Sequence, residues 1–329
     1  MLRKLVAIIV IATVVIAGGT YAAFKLSPWP SVLLIRNGFG NMDEEVVTSV
    51  APFVPKGISA QHGLNYAPGE RDTLFDIFAP ESAKESLPAV IWVHGGGFVA
   101  GSRSGLDGYL RMLAGRGYVT AALDYTRAPE AKFPTPVRQT NLALAHILAN
   151  AKRFNIDPAR IFLAGDSAGA QIAAQTALVL SDQNYARQLG IAPGMKRSAL
   201  RGVVLFCGGF DPAMVNWAGP YGDFMRVVIW SYFGTRDPDD PRVAQMAVTP
   251  HVTATYPRAF ISAGNADPLV PQSVALADAL RRRGVKVDTL LFPKDYKPPL
   301  PHEYQLLFST KEAHLAFDRM VAFLAAHAK

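Results

Sequence analysis

Apolar and polar positions divide the chain into two regimes. Between Leu5 and Phe24 no residue is charged, and the run follows Arg3 and Lys4. A charge-free stretch of about twenty residues matches a hydrocarbon core about 30 Å thick. Residues 1–24 are therefore expected to be a membrane-targeting segment outside the fold, with the basic end held inside and the rest exported. The apolar part thins near Ala17, and Thr20-Tyr21-Ala22 suits a signal peptidase, so a retained anchor and a cleaved signal peptide both fit.

From about Ala51 the pattern changes to short β-rich runs separated by segments of helical period. The strands expected are Thr73–Phe78, Ala89–Val93, Val119–Asp124, Arg160–Ala164, Val203–Cys207, Ala259–Ser262 and Val287–Phe292. Helices are expected near Gly108–Arg116, Pro136–Ala151, Ala168–Leu180, Gln272–Gly284 and Lys311–Ala326. Alternation of this kind predicts an α/β domain, residues 25–329, with a mostly parallel central sheet and helices on both faces. Two stretches break the rhythm, at about 27–55 and 208–256. About fifty residues between strands is too long for an ordinary connection, so both pieces are expected to build a small cap.

Composition narrows the classes. Half of the 329 residues are apolar and only 18% are charged, which excludes a disordered chain. The balance of 33 Lys and Arg against 26 Asp and Glu leaves +7. Its one dense basic run, Arg281-Arg282-Arg283, has no interleaved aromatics, so a nucleic-acid partner is not expected. The single cysteine, Cys207, can form neither an internal disulfide nor a Cys-based zinc site. The seven histidines lack metal-ligand spacing, and no P-loop or G-x-G-x-x-G follows a strand, so neither cofactor nor metal is expected. Oligomeric state is not legible.

The chemistry is concentrated in two glycine-rich motifs. Gly165-Asp166-Ser167-Ala168-Gly169 stands directly between an expected strand and an expected helix. There a strained turn lifts the serine oxygen into the open, as in a nucleophile elbow. About seventy residues upstream, His94-Gly95-Gly96-Gly97-Phe98 follows another strand. Its peptide N–H groups at Gly95 and Gly96, with that of Ala168, are expected to hold an oxyanion. His94 reads as structural.

With Asp124-Tyr125-Thr126-Arg127-Ala128-Pro129-Glu130 between them, these motifs make the chain resemble the hormone-sensitive-lipase-like branch of the α/β-hydrolases, from about Phe75 to the C-terminus. The resemblance implies an α/β-hydrolase fold and a serine ester hydrolase acting on small-molecule carboxylic esters. It implies Ser167 as nucleophile and Asp267, in the loop after Ala259–Ser262, as the acid. The chain order Ser, Asp, His then leaves His302, His314 and His327 for the base. His302 falls on the loop where the family keeps it, although Glu303 replaces the usual glycine and Lys297–Pro301 lengthens the approach.

Phe98 and Trp217 are expected to line the substrate pocket. The segment Ser27–Phe39, with the aromatic cluster of the second cap piece, is expected to close over Ser167 and favour short- to medium-chain acyl groups. The alternatives are an amidase or deacetylase of the same fold, and a ligand-binding homologue without catalysis.

Overall fold

Eight strands form one sheet, and the order in which they pair explains where the motifs meet. The computed structural model describes residues 2–328, without the side chains of Phe39, Asn41, Met42 and Asp43. Those parts of the expected 1–24 and 27–55 segments, and Met1, lie outside the described residues.

The chain runs through α1 (Leu2–Leu26), α2 (Trp29–Val50), β1 (Ile58–Asn65), β2 (Leu74–Pro80), β3 (Leu87–Val93), α3 (Asp107–Ala114), β4 (Val119–Leu123) and α4 (Thr135–Ala149). It continues through β5 (Ile156–Asp166), α5 (Ser167–Ser181), α6 (Gln183–Leu189), β6 (Leu200–Phe206), α7 (Gly219–Phe233) and the short α8 (Pro241–Ala244). The last elements are β7 (Ala259–Ala263), α9 (Val270–Arg282), β8 (Val287–Leu291) and α10 (Lys311–His327).

Strand order is β1-β2-β4-β3-β5-β6-β7-β8. The β1/β2 and β2/β4 pairs are antiparallel and all others parallel. Both faces are covered, by α4, α5 and α9 on one side and α3 and α10 on the other. That is why β3, β4 and β7 are almost wholly buried and read as near-continuous apolar runs, interrupted only by Thr120 and Ser262. Register brings the carboxyl ends of the central strands level: Val93 pairs with Gly165, Asp166 with Phe206, and Phe206 with Ser262. The loops after β3, β5, β6 and β7 therefore leave one edge together, where open α/β sheets place their ligands.

All seven expected strands and all five expected helices are present. The edge strand β1 and helices α2, α6 and α7 were not foreseen. Most of the first irregular stretch is α2, which buries Val32 and packs Ile35 on the core. Its Arg36 reaches across to Glu130 with both terminal nitrogens, at 2.8 and 2.7 Å, and donates from Nε to the Val99 carbonyl at 2.7 Å. This helix ties the glycine-rich loop to the Asp124–Glu130 loop. Ahead of it, α1 has no buried residue and is long and apolar enough to cross a membrane, a test that a signal sequence also passes.

Candidate active site

At the end of β5 the backbone turns sharply into α5, and Ser167 sits on that turn with φ 50°. The turn is possible because both flanking glycines lack Cβ. At Gly165 a Cβ would lie 2.4 Å from the Gly169 carbonyl carbon, and at Gly169 it would lie 2.0 Å from the Val93 oxygen. Strand and helix pack too closely there for any larger residue.

His302 stands over the serine. Its Nε2 is 2.9 Å from Ser167 Oγ, and its Nδ1 is 2.9 Å from Asp267 Oδ2. Asp267 is buried, and its other oxygen accepts from the Leu269 N–H at 2.7 Å. The aspartate thus caps the turn before α9 and orients the imidazole at once. Burial disfavours the His302 imidazolium. The hydrogen bond to the Asp267 carboxylate and the Glu303 charge oppose that effect, and the pKa stands above that of an ordinary histidine.

The other two candidates are engaged elsewhere: His314 Nε2 pairs with the Phe308 carbonyl and His327 Nδ1 with Arg258. Among the described residues, Cys207, Asp267 and His302 hold ligand atoms within 4.8 Å of one another. Two of those atoms are already joined by the His302–Asp267 hydrogen bond, and burial pushes the Cys207 thiol up to about 11. That leaves the thiol protonated, so the grouping reads as the acid and base of the site beside a neutral thiol.

The lengthened loop that delivers His302 is fastened from below. Asn265 Oδ1 accepts from the Leu300 N–H at 2.8 Å, and its Nδ2 donates to the Tyr296 carbonyl at 3.0 Å. Gln305 Nε2 donates to the Ser262 carbonyl, and Ser262 Oγ meets the Tyr304 hydroxyl, both at 2.9 Å. None of these residues belongs to a recognisable motif.

The glycine-rich loop departs from expectation by one residue. The Gly95 N–H does not face the site; it donates to Asp166 Oδ2 at 2.8 Å, while Trp92 Nε1 donates to Asp166 Oδ1 at 2.7 Å. Gly95 is therefore an anchor and not an oxyanion donor. Gly97 and Ala168 line the cavity at Ser167, with Gly96 between Gly95 and Gly97. Ala168 lies in the first turn of α5, where backbone N–H groups have no partner within the helix. His94 is buried, stacks on Tyr125 at 4.4 Å and donates from Nδ1 to the Gly95 carbonyl at 2.7 Å, so it holds the loop. Burial, above all, lowers its pKa.

Asp166 was read only as a letter between glycine and serine. Burial and the neighbouring Glu303 carboxylate push its pKa up to about 8, against the two hydrogen bonds that favour its anion.

Beside Ser167 opens an apolar cavity of about 270 Å³ lined by Phe98, Tyr221, Phe224, Met225, Val228, Ile229 and Leu269, among others. Phe98 takes its expected place, its ring stacked on Tyr232 at 4.3 Å. Trp217 does not: its ring lies under the Arg226 guanidinium, 5.5 Å away, and outside the cavity. Of the second cap piece only part faces the cleft, because Tyr232 and Phe233 are buried in the core and Trp230 lies beneath Arg236. Among the described residues, 27–38 do not line this cavity either, since α2 braces the loops from behind; the Phe39 side chain lies outside the described residues. A second cavity, of about 70 Å³, lies on the other side of His302 against Gly95, Gly96, Asp166 and Glu303.

Such an arrangement can draw a proton from a serine hydroxyl onto an imidazole and hold negative charge on an adjacent oxygen. A family model described as alpha/beta hydrolase fold matches residues 90–297, more than half of the chain. Among solved structures, esterase B of Lactobacillus rhamnosis is similar at 20% identity, with 91% of this chain and 96% of that one covered and a TM-score of 0.79. The same enzyme inhibited by a tributyrin phosphonate gives 20% identity, 91% and 96% coverage and a TM-score of 0.78. An esterase of Pyrobaculum calidifontis is similar at 25% identity, with 90% and 94% covered and a TM-score of 0.72.

Proposed function

The chain belongs to the α/β-hydrolase fold family, and on that premise we propose that it is a serine carboxylesterase for small-molecule esters with short- to medium-chain acyl groups. The observation that carries the proposal is the unbroken run of contacts from Ser167 Oγ through His302 to Asp267, each link 2.9 Å. His302 takes the serine proton as Oγ attacks the ester carbonyl, while Asp267 fixes the imidazole tautomer. Gly96, Gly97 and Ala168 supply N–H groups to the oxyanion, each worth about 2.7–4 kcal/mol. The acyl group enters the apolar cavity. At about 270 Å³ it falls just below the range of about 300–1,000 Å³ for pockets that hold drug-sized ligands, which favours short chains. Water then hydrolyses the acyl-enzyme, with His302 as base.

The segment around α7 frames that cavity, and α2 braces the glycine-rich loop behind it. Residues 1–24 are a membrane-targeting segment that exports the domain, whether retained as an anchor or removed.

The test is labelling with a fluorophosphonate, followed by mapping of the adduct and by rates on p-nitrophenyl esters from acetate to palmitate. The proposal expects one adduct, on Ser167, and kcat/KM that rises with chain length and then drops before palmitate. An unlabelled Ser167 would contradict the enzyme, and a palmitate optimum would contradict the acyl range.

A further inference from the structure

The inference concerns Glu303, and it rests on the esterase reading above. In a serine hydrolase the alcohol leaves when the C–O bond of the tetrahedral intermediate breaks and His302 Nε2 returns its proton to the departing oxygen. The acyl group stays on Ser167. The alcohol oxygen must therefore lie within hydrogen-bonding reach of Nε2. The apolar cavity takes the acyl half on one side of His302. The second cavity, on the other side, is where the alcohol half has room.

That second cavity has a chemistry of its own. Glu303 follows His302 directly, in a left-handed conformation with φ 59°, and its Oε1 lies 3.8 Å from His302 Nε2. The same oxygen would be 2.7 Å from a Cβ at Gly95, so it reaches the wall formed by the glycine-rich loop. Glu45 lies at the exposed rim and Asp166 lines the floor, while no lysine or arginine lines the cavity among the described residues. Both Asp166 oxygens are taken by Trp92 and Gly95. His94 is the other histidine in the wall, and its burial disfavours the cationic form. Among the described residues the carboxylate of Glu303 has one cationic neighbour, His302, and that only while the imidazole is protonated. It faces the cavity that shares His302 with the acyl cavity.

We propose that Glu303 is a specificity-determining residue that selects esters whose alcohol half carries a cation, in particular small amino alcohols. A protonated amine on a two-carbon tether reaches Oε1 when the ester oxygen sits at Nε2. In that position it gives the carboxylate a cationic partner in the catalytic form of the site, in which His302 is neutral. A charge pair of this kind in a partly enclosed site is attractive where the same pair in open water contributes little.

The experiment compares kcat/KM for 2-(dimethylamino)ethyl butyrate and 3-methylbutyl butyrate at pH 7. The two esters have the same shape, and only the first is protonated. The wild-type chain is expected to favour the cationic ester by about tenfold, and Glu303→Gln to bring the ratio close to one. The ratio does not depend on the fraction of folded enzyme, so a poorly folded variant still gives an answer. A wild-type ratio near one, or a ratio unchanged in Glu303→Gln, overturns the assignment even if both esters are hydrolysed well. An equal fall for both esters in the variant also overturns it, because Glu303 would then act on His302 alone. Hydrolysis of neither ester, with Ser167 unlabelled, would instead remove the esterase reading on which the inference stands.

Discussion

Asp267 and the residue after the base favour the charged form of His302, and that same residue, Glu303, acts on the residue before the nucleophile. Glu303 and Asp166 are two carboxylates sharing one small cavity, and the second responds to burial and to the first by holding its proton until about pH 8. His302, hydrogen-bonded to Asp267 and close to Glu303, is held above the ordinary histidine pKa. A protonated imidazole cannot accept the serine proton, so the rate is lost as pH falls through the His302 pKa in the folded enzyme. The acid limb of kcat/KM against pH is therefore expected to have its midpoint above the unperturbed value of about 6.5, and a midpoint at or below it would contradict the geometry. The elbow motif pointed to Ser167, and the family resemblance together with chain order pointed to Asp267 and His302, which the structure brings within hydrogen-bonding distance of one another. Gly95 was not legible, because a run of three glycines offers no clue to which N–H is taken. The deciding partner, Asp166, is the variable letter of the other motif.

At the scale of elements, what was legible depended on how regular the apolar pattern was. Strands buried on both faces announce themselves as β3 and β7 do. The edge strand β1 is mostly exposed and carries Gln61, His62 and Gly63, so it has no continuous run to detect. Helix α2 contains Gly38 and Gly40, and α7 contains Pro220 and Gly222 near its start. An interior glycine costs a helix about 1 kcal/mol relative to alanine, so these helices exist by packing and not by propensity. The consequence is visible in specificity. Phe224 on α7 lines the acyl cavity, and its ring would touch a Cβ at Gly97, whereas Trp217 stands outside. Phe224→Ala is expected to move the p-nitrophenyl ester optimum to longer chains and Trp217→Ala to leave it in place. The reverse pattern would show that the cavity is not the acyl site. Helix α2 can be tested through Arg36, which is partly buried with Glu130. Arg36→Met removes charged hydrogen bonds worth about 1.5–3 kcal/mol each in typical cases and leaves Glu130 only the more distant Arg71, 3.9 Å away. Urea unfolding should show a loss of a few kcal/mol, and an unchanged midpoint would mean that α2 does not hold the loops.

For the whole molecule, the sheet and its two covered faces carry the chemistry, and α1 stands apart from them with no buried residue. One link between the apolar helix and the body is the Arg236 guanidinium, which donates to the Lys25 carbonyl. Deleting residues 1–24 leaves Lys25 and every residue of the site. The truncated chain is expected to be soluble and to keep the kcat/KM of the full chain within about twofold, whereas the full chain should fractionate with membranes or be exported. A full-length chain found free in the cytosol would count against the targeting segment. This division was legible from the sequence because a charge-free run of that length has few alternatives. The cap was legible only as an interruption, since which of its aromatics face the cleft depends on how α7 lies on the glycine-rich loop.

The central claim, that Ser167 attacks an ester with His302 as its base, meets its most direct test in turnover of p-nitrophenyl butyrate by Ser167→Ala beside the parent chain. Removing the nucleophile leaves only what the oxyanion donors and binding contribute, so kcat should fall by about 10⁴-fold or more. The variant's unfolding transition should stay close to the parent's. A folded Ser167→Ala that kept even a tenth of the parental rate would place the chemistry on another residue and contradict the account.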